Sequence, residues 1–190
     1  MILSLTLLVL IAGIVLYVWY AAIVTRRNKV AETLGGIDAQ LQQRHDLIPN
    51  VLAIARRFLE HETALLDKIT ALRTQALPQI GERDFGRIAE KFKAEASLGA
   101  DMTRLFAVAE SYPALTSSGP MMEAQRSYAE VEANIAAARR FYNSAVGDLR
   151  NAVQIFPGGL VARAAGVGTL PPFYEAEAAS RAPVAAADHL

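Results

Sequence analysis

The sequence predicts an all-α protein, an N-terminal transmembrane helix followed by an antiparallel bundle of three to four long helices, and three observations carry that prediction. Residues 1 to 24 contain no charged side chain, and the 19 Lys/Arg and 19 Asp/Glu residues all follow them. Beyond that point apolar residues recur at steps of three and four, the spacing that lines one face of a helix. No stretch alternates with period two over a useful length, so no sheet is expected. The chain divides into an anchor (1–24), a helical bundle (25–160) and an Ala/Gly/Pro-rich tail (161–190), whose last dozen residues are expected to be disordered.

The anchor reads MILSLTLLVLIAGIVLYVWYAAIV. At 1.5 Å per residue its 24 residues reach roughly 36 Å, slightly more than the hydrocarbon thickness of a bilayer. A cleaved signal peptide would have a basic start, a shorter apolar run and a small-residue cleavage site, so an uncleaved anchor is expected. Tyr17, Trp19 and Tyr20 sit near its end, where amphipathic rings favour the headgroup region, and Arg26, Arg27 and Lys29 follow. The positive-inside rule then predicts a single-pass protein of the inner (cytoplasmic) membrane, N-terminus out and bulk of the chain cytoplasmic.

The first long stripe runs Val30, Leu34, Ile37, Leu41, then Ile48, Val51, Ala55, Phe58, then Leu65, Ile69, Leu72, Ala76, with Arg44 and Glu62 at the two skipped places. It is heptad-like, as in a coiled coil. Pro49 lies inside it and lacks the N–H that would bond the carbonyl of His45, which predicts one kinked helix or two successive ones, the second capped by Asp46. Gly35-Gly36 suggests close helix approach or a flexible neck. PQIGERD (78–84) reads as a connection. Phe85, Ile88, Phe92, Ala96, Gly99, Met102 and Phe106 form the second stripe, which should stop by Tyr112 because Pro113 disfavours helical geometry before it. After the linker PALTSSGP the third runs through Tyr128, Val131, Ile135, Ala138, Tyr142, Ala145, Leu149, Ala152 and Phe156 to Pro157, Gly158 and Gly159.

Composition and motifs restrict the chemistry. A net charge of +0, without a Lys/Arg tract interleaved with aromatics, predicts no nucleic-acid partner. Without cysteine there is no disulfide framework, thiolate zinc site or cysteine nucleophile. His61-Glu62 begins like the HExxH zinc helix, but Leu65 stands where the second His belongs, so His61 reads as a partly exposed helical residue. Neither a Glu-x-x-His carboxylate motif, a phosphate-binding glycine loop nor a nucleophile elbow occurs. No catalytic, cofactor or metal residue is therefore assigned, and no enzyme is expected. Arg44, Asn50, Arg139, Arg140 and Asn143 are the polar groups suited to a buried network or an exposed partner site.

RRNKVAE with IDAQL, RHDLIPNV and HET, TRLFAVAESYP, NIAAARRFYNSAV, FPGGLVA and PPFYEAEA occur in that order across residues 26 to 178. In these passages the chain resembles the LemA family. The resemblance implies a membrane-tethered bundle of about four helices, with a bacterial setting in which some relatives help build magnetosome membranes and others look like companions of membrane proteases. Carried onto this chain, the motif positions are Arg44, Asp46, Pro49, Asn50, His61, Glu62, Arg104, Arg139, Arg140, Tyr142, Asn143, Phe156 and Pro157. Family members often carry Trp, Ser and Gln where this chain has Leu34, Gly35 and Gly36, and Asn where it has Gly159.

The reading that follows is a scaffold or adaptor at the cytoplasmic surface, with the lipid bilayer, a second copy of itself and a membrane-protein partner as its contacts. Two alternatives stand beside it: a membrane-bound enzyme or protease accessory subunit with a site assembled across helices, and a membrane-remodelling protein whose segment 160–178 lies on lipid.

Overall fold

The computed structural model describes residues 2–76 and 85–174, all of it helix and connection with no strand among the described residues. In chain order the helices are α1 (Ile2–Ala55), α2 (Thr63–Ala76), α3 (Phe85–Ala109), α4 (Pro113–Thr116), α5 (Gly119–Gln154) and α6 (Gly158–Val161). The four long ones form the all-α bundle expected. The 78–84 connection and the last dozen residues lie outside the described part.

α1 has 54 residues, about 80 Å at 1.5 Å per residue. Its N-terminal part contains an apolar window of mean hydropathy 2.6, only 6% of it covered by protein, so this helix is long and apolar enough to span a membrane. The same helix then continues through Gly35-Gly36, where an added Cβ would meet open space, so no neighbouring helix approaches there.

Pro49 does not divide α1. The carbonyl it leaves without an intrahelical donor, that of His45, accepts from Arg73 Nε of α2 at 2.9 Å. Asp46 accordingly caps nothing and instead accepts from Gln42 Nε2 one turn back, at 2.8 Å. The break comes at residues 56–62, where Arg57 and Phe58 N–H bond the carbonyls of Ile54 and Ala55 in tighter i to i+3 turns. This turn shifts the register by one, burying Leu59 and leaving Phe58 37% exposed, contrary to the stripe as read. His61 and Glu62 belong to the turn rather than to a helix, His61 exposed and Glu62 half-buried.

α3 ends before Pro113 as expected, and that proline opens the short α4 within the predicted linker. Its buried face is Ile88, Phe92, Glu95, Leu98, Met102, Leu105 and Ala109, rotated by one residue after Phe92 from the face drawn through Ala96 and Gly99. On α5 the expected positions from Tyr128 to Ala152 are buried, apart from half-buried Ala138. The helix stops at Gln154, however, and Phe156 points outward, 82% exposed.

The core forms two apolar clusters along the bundle. A proximal one, next to the apolar part of α1, joins Ile23 to Leu41 of α1 with Ile88 and Phe92 of α3, Val131 to Ala152 of α5, and Ala162, Ala165, Val167 and Tyr174 beyond it. The distal one joins Ile48 to Leu59 with α2, Leu98 to Ala109, Leu115 and Met121 to Tyr128. Residues 162–174, read from the sequence as tail, thus pack onto the bundle: the apolar groups of this stretch find the space that α2, confined to the distal half, leaves open.

Candidate functional site

Between the two clusters lies a belt of charge. Arg44, at a skipped stripe position on α1, is fully buried with its guanidinium directed across the bundle. Nη1 donates to Glu132 Oε1 of α5 at 2.8 Å, and Nη2 donates to the Glu95 carbonyl of α3 at 3.0 Å and to the Glu95 carboxylate. Gly99 lies one turn on from Glu95, and a Cβ there would sit 3.2 Å from Arg44 Nη1; the missing side chain makes room for the arginine. The other Glu95 oxygen accepts from His45 Nε2 at 2.8 Å, and since a carboxylate only accepts, Nε2 carries the hydrogen.

Burial works against both charges, and their mutual arrangement overrides it. For Glu95, the His45 hydrogen bond and the Arg44 charge hold the carboxyl below its ordinary value despite complete burial. For Arg44, Tyr128, Glu132 and Glu95 raise the pKa although desolvation opposes them. Burial pushes the Tyr128 phenol up as well. Two flanking pairs extend the belt outward: Lys91 Nζ with Asp38 at 2.9 Å joins α3 to α1, and Lys68 Nζ with Asp101 at 2.8 Å joins α2 to α3.

A crevice of about 330 Å³ lined by Asp38, Gln42, His45, Lys91 and Glu95 opens onto this belt. A histidine oriented by a carboxylate is the pattern of a general base. Here the other ring nitrogen, Nδ1, is buried and has no hydrogen-bond partner among the described residues. Among the described residues no group of three or more His, Asp or Glu side chains is placed to hold a metal ion.

The second constellation gathers three of the motif residues. Asn143 of α5 makes two bonds to the backbone of Tyr174: its Nδ2 donates to the carbonyl at 3.0 Å and its Oδ1 accepts from the N–H at 2.8 Å. Arg139 donates to the Tyr174 hydroxyl at 3.0 Å while lying 4.2 Å over its ring. Tyr142 donates to the Pro172 carbonyl at 2.9 Å, and burial pushes its phenol up to about 12. Arg150 donates to the Pro171 carbonyl at 2.8 Å and stacks on Phe173. Phe92 of α3 completes the cradle, its ring parallel to that of Tyr174 with centroids 3.8 Å apart. The segment Pro171–Tyr174 is held as an extended peptide would be in a recognition groove, with main chain read by amide and arginine and side chains seated on rings.

The remaining motif positions are not gathered into either constellation. Asp46, Pro49, Asn50, His61, Arg104 and Arg140 are exposed, while Pro157 is buried beneath the turn that displays Phe156. Glu95, Glu132 and Tyr174 were missed by motif reading. A signal for Glu95 existed: a base at a stripe position of one helix calls for an acid at a stripe position of its neighbour.

The fold and its belt define a helical bundle with an apolar N-terminal helix suited to a membrane span, closed by a C-terminal strap. The family model of LemA matches residues 33–186, and the chain belongs to the LemA family. No curated protein matches it.

Proposed function

We propose that this protein is a membrane-anchored scaffold or adaptor that self-associates and organises proteins or membrane at the cytoplasmic surface. The observation that carries the reading is the continuity of α1, which passes from its apolar part into the bundle core with no linker between them. Such a helix fixes the height and orientation of the bundle above the bilayer, which suits a platform for other proteins. In this reading the chain catalyses nothing: Arg139 and Asn143, on which an enzymatic site would draw, are engaged with Tyr174, and Arg44 with two carboxylates.

Self-association is assigned to the face where α1 meets α5. Phe141 is 69% exposed there and borders a groove of about 620 Å³ whose lining includes Gly36, Ala137, Ala138 and Ala145. Knob and hole on one face are the requirement for a twofold pairing, in which each copy inserts its ring beside the glycine of the other. Crosslinking of the full chain in mild detergent tests the reading: a ladder beginning at the dimer is expected, and Phe141→Asp should reduce it to monomer. A wild-type chain that stays monomeric and retains no protein on pull-down would sink the proposal.

A further inference from the structure

The α5–α6 turn exposes three large apolar side chains, Ile155 at 57%, Phe156 at 82% and Leu160 at 70%. They do not belong to the core, yet the backbone that carries them is held firmly. Gly158 is wedged so closely that a Cβ would lie 1.8 Å from the Ala152 carbonyl oxygen and 3.4 Å from the Trp19 ring. Eight residues further along α1, Arg27 Nη1 donates to the Ala165 carbonyl at 3.1 Å, approaching across Gly166, whose φ of +77° only glycine adopts readily. The loop is thus pinned to α1 at two levels, its 155–160 end nearer the N-terminus.

The level of that end along α1 identifies what it meets. A hydrocarbon layer of about 30 Å takes up about 20 helical residues. A span beginning at Ile2 therefore leaves the hydrocarbon near Ala22, and Trp19, against which Gly158 rests, lies just inside that boundary. From Ile155 to Leu170 the sequence holds no acidic residue, and its single charge, Arg163, is exposed. Apolar tips at the boundary with cations further along α1, at Arg26 and Arg27, match the gradient from acyl chain to headgroup phosphate.

We propose that the turn Ile155–Leu160 inserts Phe156 and Leu160 into the same leaflet that α1 leaves, giving the bundle a second attachment to the bilayer. This rests on α1 spanning the membrane. It also shifts the lipid contact expected at 160–178 toward the turn: residues 162–174 direct Ala162, Ala165, Val167 and Tyr174 inward, and Phe173, 42% exposed, is stacked with Arg150.

Because the chain has no cysteine, single-cysteine variants of the full-length protein can report each position after reaction with an environment-sensitive fluorophore. Phe156→Cys, Val9→Cys in the span and Ala107→Cys on the exposed side of α3 would be reconstituted into phosphatidylcholine–phosphatidylglycerol vesicles, with circular dichroism confirming unchanged helicity. The expected result is blue-shifted emission, quenched by brominated lipid, at positions 9 and 156, and water-like emission at 107. Water-like emission at 156 with lipid contact at 9 overturns the inserted turn and leaves the anchor standing. A blue shift at 156 that brominated lipid does not quench also overturns it, because the turn is then covered by protein. Water-like emission at position 9 overturns the anchor and the turn together.

Discussion

The proximal half of the bundle, next to the apolar part of α1, and the distal half bury comparable apolar stripes but close them differently. The distal half is a four-helix core, with α2 supplying Leu65, Leu66 and Ile69. In the proximal half α2 is absent, and the fourth wall is a strap of irregular chain carrying Ala162, Ala165, Val167 and Tyr174. A helix satisfies its own backbone, whereas an extended strap must borrow donors and acceptors from its neighbours. This is why Arg27, Arg139, Tyr142, Asn143 and Arg150 all bond main-chain or hydroxyl atoms of residues 165–174. Motif residues that look like a site are, in the folded chain, the means by which three helices hold a segment that is not one.

The sharpest test acts on the belt between the halves. Arg44→Met leaves the Glu95 carboxylate buried opposite a thioether, and removal of one partner from a buried pair costs about 3–5 kcal/mol. Chemical denaturation should show a loss of that size, large against a domain stability of about 5–15 kcal/mol. Arg44→Met with Glu95→Met should regain most of it, since no unpaired charge remains at position 95. A double variant no more stable than the single would mean that the belt does not act as a pair.

Acid removes the same contribution without mutation. The Glu95 pKa is lower in the folded chain than its ordinary value, so its stabilisation is complete above that ordinary value, about 4.3, and is lost as pH falls through the folded one. Stability measured downward from pH 6 should therefore drop below about pH 4.3. Glu95→Gln should flatten that slope; an unchanged slope would assign the acid sensitivity elsewhere.

Asn143→Ala separates the halves. It deletes two hydrogen bonds to the Tyr174 backbone, each worth about 1 kcal/mol net. Amide exchange should quicken around Val167 and Tyr142 while Met102 and Leu105, in the distal core, keep their protection. Uniform loosening of both cores would refute the division drawn between them.

The smallest effect is expected at Arg73→Leu, which removes the donor to the His45 carbonyl facing Pro49. One part-buried bond predicts about 1 kcal/mol, read as a modest fall in melting temperature. In a Pro49→Ala background, where position 49 again supplies an N–H, the cost should shrink.

Much of this was legible because helical periodicity depends only on which residues are apolar. Val30, Leu34, Ile37, Leu41 and Ile135 occupy the core where spacing placed them. The reading of α3 slipped at Glu95 because a charged residue was refused a core place, although Arg44 on the facing helix supplied the reason to grant one. Pro49 was read correctly in its chemistry, with one helix or two left open: α1 runs on through it, the lost hydrogen bond is real, and Arg73, distant in sequence, replaces it. Nothing local announces that replacement. The strap was hidden for a similar reason, since Pro171–Tyr174 has no period of its own and its order is imposed by side chains on α3 and α5.

With α1 across a bilayer, as proposed above, its unbroken course makes the molecule a lever. About 45 Å of helix separate Val24 from Ala55 at 1.5 Å per residue. Spanning helices adjust to bilayer thickness by tilting, and over that arm a tilt change of about 10° sweeps the distal end through about 8 Å. With no joint to absorb it, a thinner or thicker membrane is translated into lateral travel of the α2 end, large enough to bring that end into or out of reach of a neighbour on the same surface.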